Sequence, residues 1–309
     1  MVFIRFYWDV LKKTFSDFFG LGMFTNAAAL AYYTIFSLPP MLLVMLYSVN
    51  AFYSKAEFEA AMFEQIGGLI GNESAAQLSS TVSRLGLFDD NWWSIVIGAG
   101  TLVFTSTTVF ITIQESLNKI FRVKAKPTGW GILKMLKDRL LSFAFVLGIA
   151  FVMLVSLSLN ALLAAFNTYL SKMLPDLSIA FMTLMSILLP LFITTLLFMV
   201  IFKYLPDAKM KWKHCLAGGI FTTILFSLGK NLIGFYIGNS QTANLYEAAG
   251  SVMIILLWVF YASTIFLLGA SFTANWVRSL QGNIPPSKYA VKVVQQEVEV
   301  SKEKAAEIV

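Results

Sequence analysis

Lys230 and Asn231 are the residues least suited to their surroundings in this chain. They stand inside "FSLGKNLIGFYIGN", a run otherwise fit for lipid or a buried core. A lysine in such a place snorkels to an interface, finds a partner or lines a polar space, because an unpaired charge in hydrocarbon is costly. At about 1.5 Å rise per residue, Lys230 lies roughly 12 Å short of the outer end of its helix near Gly238, and its stem spans only part of that. Glu247, on the same side after a short turn, is the nearest candidate partner. The residues allow two uses: a structural pair or snorkelling charge, or a contact for a substrate or ion.

Enzymatic chemistry finds little else to work with. The single histidine, His214, adjoins the single cysteine, Cys215. A zinc site needs three or four ligands and no remote Cys/His set completes one, so no metal or cofactor is expected. One cysteine also excludes an intrachain disulfide framework. "GGLIGNES" is glycine-rich but lacks the GK[ST] ending of a phosphate-binding loop. No paired carboxylates share a membrane depth, and the sequence does not read as an enzyme.

The elements that would position these residues are membrane spans. The 309 residues are 58% hydrophobic and 13% charged, against about 45–50% and about 25% in soluble chains. Apolar runs long enough to cross a ~30 Å hydrocarbon layer lie near 27–53, 93–114, 140–163, 178–202, 214–238 and 248–273. The fold class is therefore all-α, a polytopic membrane protein with six transmembrane helices. Lys and Arg test the parse. The segments 1–26, 115–139, 203–213 and 274–309 hold 19 of them, and the opposite segments hold 3. The positive-inside rule places both termini in the cytoplasm.

Residues 1–278 form the six-span domain, and 279–309 a short cytoplasmic tail that is loose or locally structured. The N-terminus mixes Arg5, Asp9, Lys12, Lys13 and Asp17 into an aromatic pattern. It lacks the form of a cleavable signal. It reads either as an interfacial amphipathic helix or as a solvated helix packed on the bundle. The outer segment 54–91 spaces Phe58, Met62, Ile66 and Leu69 as one helical face, a lid or a structural cap. The basic segment 119–139 attracts anionic head groups. No nucleic-acid recognition module accompanies it.

Pro39 in "SLPP" and Pro190 in "SILLPLF" fall near the middle of spans one and four. Each removes a backbone donor and crowds the preceding turn, so each should kink its helix or loosen its ladder. Interruptions at matched positions suggest two inverted three-helix halves with a site between them; ordinary use of proline in membrane helices gives the same pattern. The small residues of "LAGGIFTTILFSLG" and "LLGASFTAN" predict close helix packing.

In order along the chain, "AAALAYYTIFSLPP", "ESLNKIFRV" with Asn118, "YLPDAKMKWKHCLAGG" and "YEAAGSVMIILLWVFYASTIFLLGA" resemble the BrkB/YihY family of bacterial inner-membrane proteins. The resemblance covers about 5–278. It implies a six-helix protein of the bacterial inner membrane, with links to envelope integrity, serum resistance and lipid export. Some relatives bear an old ribonuclease BN label, which a lone His–Cys pair and a basic loop do not support. The function expected is transport of a lipid-like or amphiphilic molecule, with membrane lipids as partners and Lys230, Asn231, Glu247, Pro39 and Pro190 along the path. The alternative is a non-transporting envelope scaffold or partner-binding protein.

Overall fold

The computed structural model describes residues 2–49, 92–126, 166, 175–239 and 248–294, and among these the side chains at 2–4, 38–49, 92–99, 102, 103, 106, 175–178, 180, 186, 230–239, 248–252 and 254 lie outside the description. Among the described residues the long helices are α1 (Val2–Gly20), α2 (Met23–Val49), α3 (Trp92–Phe121), α4 (Pro175–Tyr204), α5 (Trp212–Asn239) and α6 (Ala248–Gln281). The short strands β1 (Val123–Ala125) and β2 (Ala290–Lys292) pair antiparallel. Among the described residues the fold is thus all-α apart from one small ribbon. Helices α2 to α6 run over five of the six apolar segments; the segments 140–163 and 54–91 lie outside the described residues.

Among the described residues, two helical stretches, Phe181–Tyr204 and Ile255–Gln281, are long and apolar enough to cross a membrane. They differ in how they are used. Helix α6 is the central post, packed against α1, α2, α3 and α5. Helix α4 packs mainly on α5 and leaves Ile179, Leu184, Ile187, Leu188 and Phe192 exposed. Pro190 lies within α4 and is itself exposed, and Pro39 lies within α2. Neither proline ends its helix. A missing donor at one position leaves the flanking i to i−4 bonds to carry the helix through.

Helix α1 shows why both readings of the N-terminus had a basis. Val10, Thr14 and Phe18, one turn apart, are buried, and Phe6 meets Trp276 of α6 edge-on at 5.5 Å. Trp8, Phe15 and Phe19, on the opposite face by helical spacing, are exposed. The helix packs with one side and presents aromatic rings with the other. Gly22, at φ 68°, then turns the chain into α2, a left-handed step that glycine makes without steric cost.

One end of the helices holds the compact core. Phe121 and Phe202 are almost wholly buried there with Leu117, Ile120, Leu267 and Val277. The rings of Phe202 and Phe266 stack at 5.6 Å, tying α4 to α6. At this end α1, α3, α4 and α6 finish while α2 and α5 begin.

The chain from 279 to 294 is part of this end. Helix α6 continues to Gln281 and stops at Gly282, at φ 72°. The following segment is held through its backbone. Lys209 N–H donates to Pro285 O at 2.8 Å, Ser287 N–H to Asp207 O at 2.9 Å, and Lys126 N–H to Tyr289 O at 2.8 Å. Paired backbone groups anchor it together with the buried Ile284 and Ala290, and backbone pairing leaves little sign in hydropathy.

The glycine-rich stretches fit together as expected from their small residues. A Cβ added at Gly218 would come within 1.8 Å of Thr273 Oγ1, and one at Gly269 within 1.9 Å of Thr222 Oγ1. Each of α5 and α6 thus lays a threonine against a glycine of the other. Thr222 and Thr273 satisfy their hydroxyls on Gly218 O and Gly269 O, each four residues back.

Candidate functional site

The polar groups of the described residues concentrate where the helix ends meet. Asp17 on α1 is the hub. Its Oδ2 accepts from Arg278 Nη1 at 2.7 Å and from Asn275 Nδ2 at 3.1 Å, while its Oδ1 faces Arg122 Nη2 at 3.4 Å. Arg278 also donates from Nη2 to Ile120 O in the last turn of α3. A cation there opposes the negative end of the α3 dipole and satisfies a carbonyl without an intrahelical partner. The Asp17 and Arg278 side chains are 22% and 18% exposed, so removing one partner strands a poorly solvated charge and costs more than breaking a surface pair.

Arg122 reaches this hub by an uncommon backbone step. It follows α3 with φ 56°, left-handed territory that costs a non-glycine residue roughly 1–2 kcal/mol. Its N–H donates to Lys119 O and its O accepts from Val293 N–H. That residue therefore joins α3 to β1 and aims a guanidinium at Asp17. With Lys13, Ser16, Asn275, Arg278 and Ser279, the two groups line an open pocket of about 320 Å³.

Two further ties close the junction. Asn118 Nδ2 donates to Asp207 Oδ2 at 2.9 Å, and Asp207 N–H donates to Asn118 Oδ1 at 2.8 Å. His214 Nε2 shares a hydrogen bond with the Gln281 amide at 2.7 Å. His214 is thus a link between α5 and α6, and Cys215 is buried beside it. Among the described residues, no three His, Cys, Asp or Glu side chains gather as a metal site.

The residues that the sequence singles out lie elsewhere. Lys230 and Asn231 belong to α5 through their backbone, Glu247 lies outside the described residues, and the Lys230–Glu247 contact lies outside them too. Gly229, which precedes Lys230 in the chain, is described. Tyr261 O–H donates to Leu225 O at 2.7 Å, with its ring across Gly229, where an added Cβ would come within 1.6 Å of the hydroxyl. Asp17, Arg122, Asn275 and Arg278 were not singled out, because each sits among solvated charges near a span end. Their signal was slight: an acid in a basic segment and arginine at two helix ends.

Comparison with known proteins gives one family. The model described as Virulence factor BrkB matches residues 14–291. A UPF0761 membrane protein of Nitrosospira multiformis is 31% identical over 270 residues, covering 86% of this chain and 60% of the relative. One of Pseudomonas aeruginosa PAO1 is 30% identical over 259 residues, covering 81% and 58%. The UPF0761 membrane protein of Psychromonas ingrahamii is 26% identical over 255 residues, covering 81% of both chains. The chain thus spans about three-fifths of the length of the first two. No solved structure matches it.

Proposed function

The chain belongs to the Virulence factor BrkB family of membrane proteins, and from that membership we propose that it moves a lipid-like or amphiphilic molecule across the bacterial inner membrane. In this reading it is a six-span protein with both termini in the cytoplasm, and its activity contributes to envelope integrity. The observation that supports its membrane placement is the surface of α4. Ile179, Leu184, Ile187, Leu188 and Phe192 stand exposed on a helix long enough to cross a bilayer, almost none of whose apolar stretch is buried. Water does not tolerate such a face, and lipid tails cover it.

The ends of α3 and α4 support the six-span reading. Both helices finish at the same junction, through Asn118 on one and the turn after Tyr204 on the other. Successive spans of an alternating chain arrive at opposite sides, so the reading places one more span, 140–163, between them. In the same reading Pro39 and Pro190 soften two helices along the path, and Lys230, with Asn231 and Glu247, makes the polar contact. Segment 54–91 covers the outer mouth.

A scaffold without transport is the second reading. It is favoured by the α5–α6 interface, where threonines lie on Gly218 and Gly269 and leave no room there for even a Cβ. Reconstitution separates the two. Purified full chain in vesicles, given a panel of fluorescent lipids, should accelerate transfer between leaflets, and Lys230→Met should slow it. Equal rates in the variant would remove Lys230 from the path. An intact preparation that moves no lipid in the panel would leave the scaffold.

A further inference from the structure

The pocket at the helix junction has a charge that its own walls do not balance. Lys13, Arg122 and Arg278 face a single carboxylate, Asp17. Arg278 is occupied, since it donates to Asp17, to Ile120 O and to Asn275 Oδ1. The other two cations are differently placed. Arg122 is half exposed and only 3.4 Å from Asp17, a long contact for a charged pair that ordinarily closes to about 2.7–2.9 Å. Among the described residues Lys13 makes no ion pair. The C-terminal ends of α1, α3 and α6 draw cations here, but of these cations Arg278 alone reaches a terminal carbonyl.

We propose that this pocket binds a phosphomonoester, with Lys13 and Arg122 as its charged contacts and Ser16 and Ser279 as hydroxyl donors. The excess of two positive charges matches a phosphomonoester, which carries about −1.5 to −2 near neutral pH. A phosphodiester or a carboxylate brings one. The arginine supplies a planar fork for two phosphate oxygens and the lysine a mobile point charge. Asp17 and Asn275 fix the wall behind them by holding Arg278.

The position suits a lipid head group as well as free phosphate. On α1, helical spacing puts Lys13 and Ser16 between the buried face of Val10, Thr14 and Phe18 and the exposed face of Trp8, Phe15 and Phe19. Exposed aromatic rings favour the membrane–water boundary, the depth of phosphate groups. The inference concerns binding and is independent of translocation.

Calorimetry on the purified full chain in detergent tests it, with dioctanoyl phosphatidic acid as the probe. Binding should be detectable, dioctanoylglycerol should bind far less, and Lys13→Gln with Arg122→Gln should weaken the phosphatidic acid by about tenfold or more. Lys12→Gln with Lys119→Gln removes the same charge outside the pocket and should change affinity little. If the double pocket variant does not fold, Lys13→Gln alone, at an exposed site on α1, carries the same comparison. Competition by inorganic phosphate identifies the free ion as a ligand, and its absence identifies the lipid; either outcome supports the site. Unchanged binding in the pocket variants, equal losses in both double variants, or equal binding of dioctanoylglycerol overturns it. Because no vesicle is involved, failure here is distinct from failure to translocate.

Discussion

Asn118 and Asp207 hold each other by two reciprocal hydrogen bonds, side chain to side chain at 2.9 Å and backbone N–H to side chain at 2.8 Å. Asn118 belongs to "ESLNKIFRV" and Asp207 to "YLPDAKMKWKHCLAGG", so two of the motifs that resemble the family are halves of one contact. Asp207 O in turn accepts from Ser287 N–H, which extends the tie to the chain after α6. Asn118→Ala should therefore lower stability by about 1–3 kcal/mol, because it strands a partly buried carboxylate and a backbone donor. Thermal unfolding in detergent reads the loss. A cycle with Asp207→Ala should show strong coupling between the two sites. Additive losses would mean the contact contributes little.

Asp17→Ala should cost roughly 2–4 kcal/mol, since it leaves the Arg278 guanidinium mostly buried without its anion. Arg278→Lys should fail to restore wild-type unfolding temperature. A single ammonium cannot bridge Asp17 and Ile120 O as the forked group does. A lysine variant as stable as the parent would show that the Ile120 contact is dispensable.

Gly269→Ala should force α5 from α6 at Thr222 and destabilise by about 1–3 kcal/mol. Adding Thr222→Gly restores the space. The double variant should then unfold at a higher temperature than Gly269→Ala alone, despite the helix penalty of the second glycine, if the clash is the cause.

Docking of the segment after α6 is open to chemical test. Lys124 and Val291 are partners across the β1–β2 ribbon. In a Cys215→Ser background, Lys124→Cys with Val291→Cys should form a disulfide under mild oxidation, and Lys124→Cys with Val294→Cys should form it less. Equal yields would show that the register is not maintained.

Topology can be read by labelling in whole cells. In the same background, single cysteines at Glu64 and Gln77 should react with an impermeant maleimide from outside. Those at Lys124 and Lys288 should react only after lysis. Reaction of all four from one side would refute the six-span orientation.

Much of this was legible in the sequence, for a physical reason. The cost of water on apolar surface and of charge in lipid is written residue by residue, so the helices over 93–114, 178–202, 214–238 and 248–273 could be read from runs of hydropathy. Close packing at the two glycine-rich stretches was legible because only small side chains permit it, whereas their pairing with each other was not. The polar junction was not. Asp17 meets Arg278 across most of the chain's length, and no local pattern records which solvated charge folds onto which.

The sequence by itself determined that the protein is built from long apolar helices, because burial from water is a property of each segment. Only the tertiary structure decided that the ends of α1, α3, α4 and α6, the starts of α2 and α5, and the backbone of 283–293 share one polar junction. Pairing among distant donors, acceptors and charges depends on where folded elements place them, and that is a property of the whole chain.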